Sequence, residues 1–312
     1  MADRVGPDDM RAMFESVKNW GRWGDDDQRG ALNLITEKNV LAAAALVKTG
    51  TVVSCALELP VVPSIENPTP AQHMMLIAGD SLDATGVPGL ETSLDYVGVA
   101  FHGMAVSHID ALCHVFVGGE MYNGRPATDV KSIGALYNSI EAAFGGIVGR
   151  GVLLDIPRLR GVDWLEPGDT ISADELDQAA GAQAVGIKPG DILLVRTGRD
   201  ARRTAVGPWD PVMVGLAGLH PSCIPWIHNH DIAVIGSDGV SDPLPPNLES
   251  GWPIPVHQCC LVAMGVHLLD NLQLSRLAEA CDRERRWEFL FSVLPLRIQG
   301  GTGSPVNPVA IL

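Results

Sequence analysis

Three short and almost continuous apolar runs constrain the fold of this chain more than any other feature. They read GIVGRGVLLDI at 146–156, DILLVRTG at 191–198 and DIAVIGSDG at 231–239. A run of this length that is nearly all valine, isoleucine and leucine is typical of a strand buried on both faces of a sheet. A helix candidate, SADELDQAAGAQ at 172–183, lies between the first two runs. The pattern predicts an α/β fold with a mixed sheet and flanking helices.

Other segments extend this prediction along the chain. Ser172 and Glu175 can form a capping box at the start of the helix over 172–183. TEKNVLAAAALVK predicts a helix over 36–48 with Thr36 as its N-cap. Proline, glycine and polar residues dominate 60–95, which predicts a long loop or flap. Further strands are predicted at 51–61 and 289–298, and a last helix at 256–271.

Length, composition and charge narrow the class of protein. With 312 residues and 46% hydrophobic residues, the chain can bury a sizeable core. No repeat or linker-like break divides it, so we expect one domain over 1–312, with 1–35 as an N-terminal extension. The formal charge of −15 argues against nucleic acid or an anionic membrane as a partner, because both require a basic surface. A small-molecule partner is expected instead.

The start of the chain and its cysteines indicate the compartment. Charges are spread through the first twenty residues, unlike the apolar core of a secretory signal, and no apolar run approaches the roughly 20 residues of a membrane span. The six cysteines are scattered, and adjacent Cys259 and Cys260 are expected to be small buried residues. We therefore expect a cytoplasmic protein with reduced thiols.

The stretch SHIDALCH at 107–114 places two imidazoles and a carboxylate in apolar surroundings. On an extended strand, His108, Asp110 and His114 point to one side. On a helix, Asp110 and His114 share a face that His108 does not. Only the strand conformation brings the three side chains together. Such a cluster could bind a divalent ion such as Zn or Mn, or it could form a hydrogen-bonded polar network.

The stretch FHGMAVSHIDALCHVF resembles the signature of the cyclase-like metal-dependent hydrolase family, to which bacterial kynurenine formamidase and isatin hydrolase belong. That signature reads His-x-Gly-Thr-His-x-Asp-x-Pro-x-His, and its later members match His108, Asp110 and His114. Further stretches are similar in the same order, namely WGRWGDDDQRGALNLIT, MYNGRP, GDILLVRTG, DGVSDP, PVHQCCLVAMGVHLLDN and GGTGSPVNP. The resemblance implies a swivelling β/β/α fold and a homodimer or homotetramer.

The chain departs from the family pattern in several places. The first histidine of the signature falls at Met104, and His102 lies two residues too early to be a simple substitute. Where the family has a histidine pair and a later glutamate, this chain has His257 with Gln258, and then Asp270. We therefore expect one divalent ion, Mn or Zn, with His108 and Asp110 as ligands and His257 or Gln258 completing the set.

Such a site predicts hydrolysis by water that the metal activates. His114 is the candidate general base and acid, with a third metal ligand as the alternative. A serine hydrolase is not favoured, because no Gly-x-Ser-x-Gly is present, and GGIVGRG lacks a dinucleotide fingerprint. By resemblance, the substrate is a small cyclic or aromatic amide or lactone. A metal-dependent lyase or cyclase and a degenerate ligand-binding relative are the alternatives.

Residues outside the motif are weaker candidates for substrate contact. Trp23 could form an aromatic wall, or it could pack in the core. His73 lies in the long loop, where a solvated side chain is the simpler interpretation. His220 precedes a segment expected to be a surface helix. Asp238 and Asp242 follow a buried strand, where they could orient a histidine or belong to a solvated turn.

Overall fold

The computed structural model describes residues 5–80, 85–246 and 251–312. The strands are β1 (Val52–Ser54), β2 (Gln72–Ile77), β3 (Leu94–Gly98), β4 (His108–Asp110), β5 (Glu120–Met121), β6 (Arg125–Pro126), β7 (Val130–Lys131), β8 (Gly134–Ala135), β9 (Ile147–Asp155), β10 (Thr170–Ile171), β11 (Ile192–Arg196), β12 (Gly218–Leu219), β13 (Val234–Ser237), β14 (His267–Asp270), β15 (Glu288–Val293), β16 (Gly303–Pro305) and β17 (Val309–Ile311).

The α-helices surround the strands and are mostly short. They are α1 (Pro7–Ser16), α2 (Glu37–Ala44), α3 (Ile156–Arg160), α4 (Ala173–Ala182), α5 (Arg199–Val206), α6 (Cys223–Asn229), α7 (Pro255–His257) and α8 (Ser275–Glu284). A π-helix, Gln258–Met264, continues α7 directly. Among the described residues, no helix combines the length and the apolar character needed to cross a lipid bilayer.

Nine of the strands form one mixed sheet in the order β1-β17-β15-β9-β11-β13-β14-β4-β16. The four central strands β9, β11, β13 and β14 are parallel, while β4 pairs antiparallel with β14 and with β16. Helix α2 packs on β9 and β15, and α4 packs on β9. This confirms the predicted mixed sheet with flanking helices, whereas the one-domain organisation stays a prediction.

The three apolar runs become neighbouring strands, as their composition predicts. Val152, Leu153 and Leu154 of β9 are buried, and so are the equivalent residues of β11 and β13. The capping predictions are also confirmed. Thr36 and Ser172 each accept a hydrogen bond from the backbone three residues on, and each forms a capping box at the start of its helix.

Four predicted elements require correction. The last helix ends at Met264 rather than at 271, because Gly265 turns the chain with a φ of 68° and β14 follows. Segment 60–95 contains the hairpin of β2 and β3. Strand β4 stops at Asp110, so His114 lies beyond it in a turn closed by a bond from its N–H to Ala111 O. Helix α6 is not a surface helix, since it buries Cys223, Ile224, Trp226 and Ile227.

The N-terminal segment packs against the end of the π-helix. Asn19 donates through its backbone to Ala263 O and through its side chain to Met264 O, and Trp20 Nε1 donates to Val262 O at 2.7 Å. These bonds satisfy carbonyl groups that a helix end leaves without partners. A side chain at Gly265 would place its Cβ 2.6 Å from the Tyr122 ring, so glycine is required there.

Candidate metal centre

Strands β4 and β14 bring three polar side chains to one face of the sheet. The antiparallel register sets Asp270 opposite His108, and Leu268 opposite Asp110. Paired residues and residues two apart share a face, so His108, Asp110 and Asp270 lie together while Ile109 enters the core on the other side. All three polar side chains are at least 97% buried.

Two histidines are oriented by their Nδ1 atoms. His108 Nδ1 donates to Val106 O at 2.8 Å, which leaves Nε2 at 3.4 Å from Asp110 Oδ1. His257 Nδ1 donates to Asp242 Oδ2 at 2.6 Å, which leaves Nε2 at 3.5 Å from Asp110 Oδ2. A histidine whose Nδ1 is held by a carbonyl or a carboxylate has its other nitrogen free to bind a metal.

Asp242 fixes the start of the helix that carries His257. Its carboxylate accepts hydrogen bonds from Val256 N at 2.8 Å and His257 N at 3.0 Å, in addition to the ring of His257. Asp242 is fully buried, so it is not a solvated turn residue. Asp238 is also buried, and it accepts backbone bonds from Thr197, Gly198 and Arg199. Of the two, Asp242 is the residue that orients a histidine.

His102 belongs to the cluster, although it lies two residues too early in the chain to be a simple substitute for the first histidine of the signature. Its Nδ1 is 3.0 Å from Asp110 Oδ1, and its Nε2 is 3.0 Å from Thr302 Oγ1. Met104 instead packs against the buried cluster of Trp209, Leu216, Val240 and Leu244. The loop before β4 thus presents His102 rather than residue 104 to Asp110.

The ligand atoms form two groups that share one carboxylate. His102, His108 and Asp110 make the first group, and Asp110, His257 and Asp270 make the second. Within each group the candidate ligand atoms lie within 4.8 Å of one another. Asp270, which the sequence analysis did not include among the ligands, therefore belongs to the same group as the predicted ligand His257, and its Oδ2 is 3.3 Å from His257 Nε2.

The buried atoms of this cluster fit a metal ion better than a hydrogen-bonded network. Both oxygens of Asp110, Oδ1 of Asp270 and Nδ1 of His102 have no hydrogen-bond partner among the described residues. Their short contacts with neighbouring atoms lack hydrogen-bond geometry, and leaving such groups unpaired inside a protein costs several kcal/mol. Nitrogen and carboxylate donors converging in this way are the ligands of Zn and Mn.

Electrostatics couples the members of the cluster. Burial opposes the charge of Asp110, yet its contacts with His102, His108 and His257 hold its pKa well below the usual value. Burial likewise opposes protonation of His257, but the charge of Asp270 and the contacts with Asp110 and Asp242 raise its pKa well above the usual value. The pKa of His108 is raised in the same manner, against burial, by Asp110 and Asp270. The carboxylates thus attract positive charge to this point.

His114 lies at the edge of the cluster. Its Nε2 is 4.0 Å from Asp110 Oδ1, and its side chain is 30% exposed, whereas that of Asp110 is 1% exposed. Burial and the neighbouring histidines together lower the pKa of His114 to about 4, against the opposite effect of Asp110. The ring is therefore neutral at pH 7.

The remaining candidates have their described contacts elsewhere. Gln258 Oε1 accepts from Ile254 N at 3.3 Å. His73 is exposed on β2 and pairs with Asp95 at 3.1 Å. His220 Nδ1 lies 3.1 Å from Ser222 Oγ, just before α6. Trp23 packs on the Arg22 guanidinium group. Metal ligation by Gln258 and substrate contact by Trp23, His73 and His220 stay predictions.

Comparisons with known proteins agree with this architecture. The model of the Cyclase family matches residues 42–242, which include His108 and Asp110. A crystal structure of a novel cyclase has a TM-score of 0.86 and 33% identity, and the match covers 95% of this chain and 99% of that one. A search of curated proteins gives no match.

Two isatin hydrolases share the fold at lower identity. Isatin hydrolase A from Labrenzia aggregata, bound to benzyl benzoate, has a TM-score of 0.59 and 21% identity, covering 88% of this chain and 98% of that one. An isatin hydrolase bound to the product analogue thioisatinate has a TM-score of 0.57 and 18% identity, covering 89% and 99%. The fold class expected from the sequence is thereby confirmed, and the chain belongs to the Cyclase family.

Proposed function

We propose that this protein is a metal-dependent hydrolase that opens the amide or lactone bond of a small cyclic or aromatic substrate. Membership of the Cyclase family and the likeness to isatin hydrolases support this reaction class. The observation that carries the proposal is the carboxylate of Asp110. It is 1% exposed, neither of its oxygens has a hydrogen-bond partner among the described residues, and it belongs to both groups of ligand atoms.

The residues that would hold the ion follow from these two groups. His102 and His108 would bind on one side of Asp110, and His257 and Asp270 on the other. One ion in either group, or two that share Asp110, are both compatible with this donor set. A bound divalent ion lowers the pKa of a water ligand towards neutrality and polarises an acyl oxygen, and Mn and Zn both suit nitrogen and carboxylate donors.

The protein supplies orientation and a proton carrier. Asp242 holds His257 through the ring nitrogen opposite the cluster, and Val106 O does the same for His108. His114 is neutral at pH 7 and borders the cluster, so it can accept a proton from the attacking water at Nε2 and return it to the leaving nitrogen or oxygen. No side-chain nucleophile is required for this reaction.

The first test is metal content, measured by plasma mass spectrometry on protein purified without chelators or a polyhistidine tag. We expect at least one Mn or Zn per chain. The same protein is then incubated with cyclic amides, aryl formamides and lactones in ¹⁸O-labelled water. Hydrolysis adds one labelled water and creates a carboxylate or formate, which product mass spectrometry detects.

The outcomes separate this proposal from its alternatives. A lyase or cyclase changes its substrate without forming a labelled carboxylate. A ligand-binding relative binds these compounds and leaves them unchanged. Protein that takes up no metal, even after Mn and Zn are added back, contradicts the proposal.

A further inference from the structure

The loop that carries His102 accepts hydrogen bonds from the side-chain amide of Asn271, the residue that follows β14. Asn271 Nδ2 donates to Gly103 O at 2.7 Å and to Val106 O at 3.1 Å. Val106 O is also the acceptor for His108 Nδ1. One amide nitrogen therefore contacts the carbonyl next to His102 and the carbonyl that orients His108.

Asn271 is itself held by hydrogen bonds to its side chain and to its backbone. Its side chain is buried, and its Oδ1 accepts from Arg199 Nη1 at 2.7 Å. Because Arg199 can only donate, the oxygen must face Arg199 and the amide nitrogen must face the loop. The backbone of Asn271 donates to Gly239 O at 2.7 Å and accepts from Ser107 Oγ at 2.6 Å.

The same loop is also restrained at Met104, through a hydrogen bond from Arg199 to its backbone and through the packing of its side chain. The Arg199 guanidinium group is buried and also donates through Nη2 to Met104 O. The Met104 side chain packs into the apolar cluster that contains Trp209. The backbone between His102 and His108 is therefore restrained at three carbonyl groups and one side chain, which favours a single conformation.

We propose that Asn271 is a positioning residue of the metal centre. Its amide holds His102 and His108 in one arrangement, and Arg199 sets the direction of that amide. Because Asn271 directly follows Asp270, it also ties the first ligand group to the strand that carries a ligand of the second group. This inference rests on the proposed function only in treating these histidines and Asp270 as metal ligands.

The test uses the substitutions Asn271→Gly and Asn271→Asp in the full chain. Asn271 has a φ of 54°, a left-handed conformation that glycine and aspartate also adopt, so neither substitution adds backbone strain. Glycine removes the amide. Aspartate retains the acceptor for Arg199 but sets an oxygen against the carbonyls of Gly103 and Val106.

Asn123→Gly is the matched control. Asn123 also has a left-handed φ, of 63°. Its Nδ2 donates to the backbone oxygens of Gly24, Asp25 and Asp27, so its bonds restrain the N-terminal segment rather than the loop before β4. A general loss of rigidity should therefore affect both glycine variants, whereas a loss of positioning should affect only those at residue 271.

Two measurements are made on each variant. The first is the rate at which diethyl pyrocarbonate modifies His102 in metal-free protein, localised by fragment-ion mass spectrometry with His220 as internal reference. The second is the dissociation constant for Mn and Zn by chelator competition. We expect both Asn271 variants to modify His102 severalfold faster and to bind metal about tenfold or more weakly, the range found when groups that orient ligands are removed.

Each result decides a separate question. An unchanged His102 rate in both Asn271 variants, or an equal rise in Asn123→Gly, overturns the positioning role. Tighter metal binding by Asn271→Asp, with His102 unaffected, shows that only the added charge matters and also overturns it. If the wild-type protein binds no metal, the proposed function fails, and the modification rate of His102 still decides the role of Asn271. If Asn271→Gly does not fold, Asn271→Asp provides both measurements.

Discussion

The imidazole rings of His102 and His114 stack face to face, with their centroids 3.8 Å apart and their planes parallel. The two rings differ in their distance from Asp110. His102 directs its Nδ1 at Asp110 from 3.0 Å, whereas the Nε2 of His114 remains 4.0 Å from the same oxygen. The stacked pair places a neutral, partly exposed imidazole directly beside a candidate ligand, as expected for a proton carrier.

Replacing His114 with alanine should reduce kcat by about 10²-fold or more, because the reaction loses its general base and acid. Metal content should remain at the wild-type level. Steady-state kinetics and plasma mass spectrometry on the same preparation check both parts. Loss of the metal would instead make His114 a ligand, and unchanged kcat would remove it from the mechanism.

Replacing Asp110 with alanine should abolish metal binding while the far-ultraviolet circular dichroism spectrum stays the same. Asp110 is the one residue common to both ligand groups, so its loss affects either arrangement of ions. Asp95→Ala, which removes a carboxylate that pairs with exposed His73, is the control for a lost aspartate–histidine contact. An Asp110→Ala protein that retains stoichiometric metal contradicts the assigned site.

Replacing Asp242 with asparagine should weaken metal binding about 10- to 100-fold, because His257 loses the carboxylate that fixes its ring. Asp155→Asn is the matched control. Asp155 is also buried, accepts a backbone bond from Arg158 N and pairs with Arg196 at 2.8 Å, but it lies at the start of α3. Chelator competition and thermal unfolding should show a loss of stability in both variants, and a loss of metal affinity only in Asp242→Asn.

Metal affinity should fall as the pH is lowered below neutrality. The pKa values of His108 and His257 are raised in the metal-free protein, so each ring keeps its proton to a higher pH than a free histidine does, and an incoming ion must displace that proton. At a pH above the raised values no proton is displaced and affinity becomes constant. Titration calorimetry in buffers of different ionisation enthalpy measures the protons released. Binding without proton release at a pH where even an unperturbed histidine is protonated would show that these rings are not ligands.

The placement of His108 and Asp110 on one strand was predictable from the local sequence pattern. The period of two along a strand places His108 and Asp110 on one face, and both are ordered together on β4. Asp270 was not predictable in this way, because an apolar segment such as 256–271 has the length and composition of a helix. Only the left-handed turn at Gly265 separates the π-helix from β14.

His102 shows a second limit of local pattern. Aligning the family signature on His108 places its first ligand at residue 104. The backbone of this loop, however, is held by hydrogen bonds from Asn271 and Arg199, each more than 90 residues away in sequence. The position of Asp242 after a buried strand was a weak indication that it orients a histidine. The sequence did not show that this histidine is His257.

The bonds from Asn19 and Trp20 to the π-helix join residues more than 240 positions apart. During synthesis, the N-terminal segment emerges long before its partners at 262–264 exist. Contacts of such long range form late and at a high cost in chain entropy. The helix that carries His257 can therefore be secured only once residues 262–264 have been made, so the arrangement of the candidate ligands should form abruptly rather than by degrees.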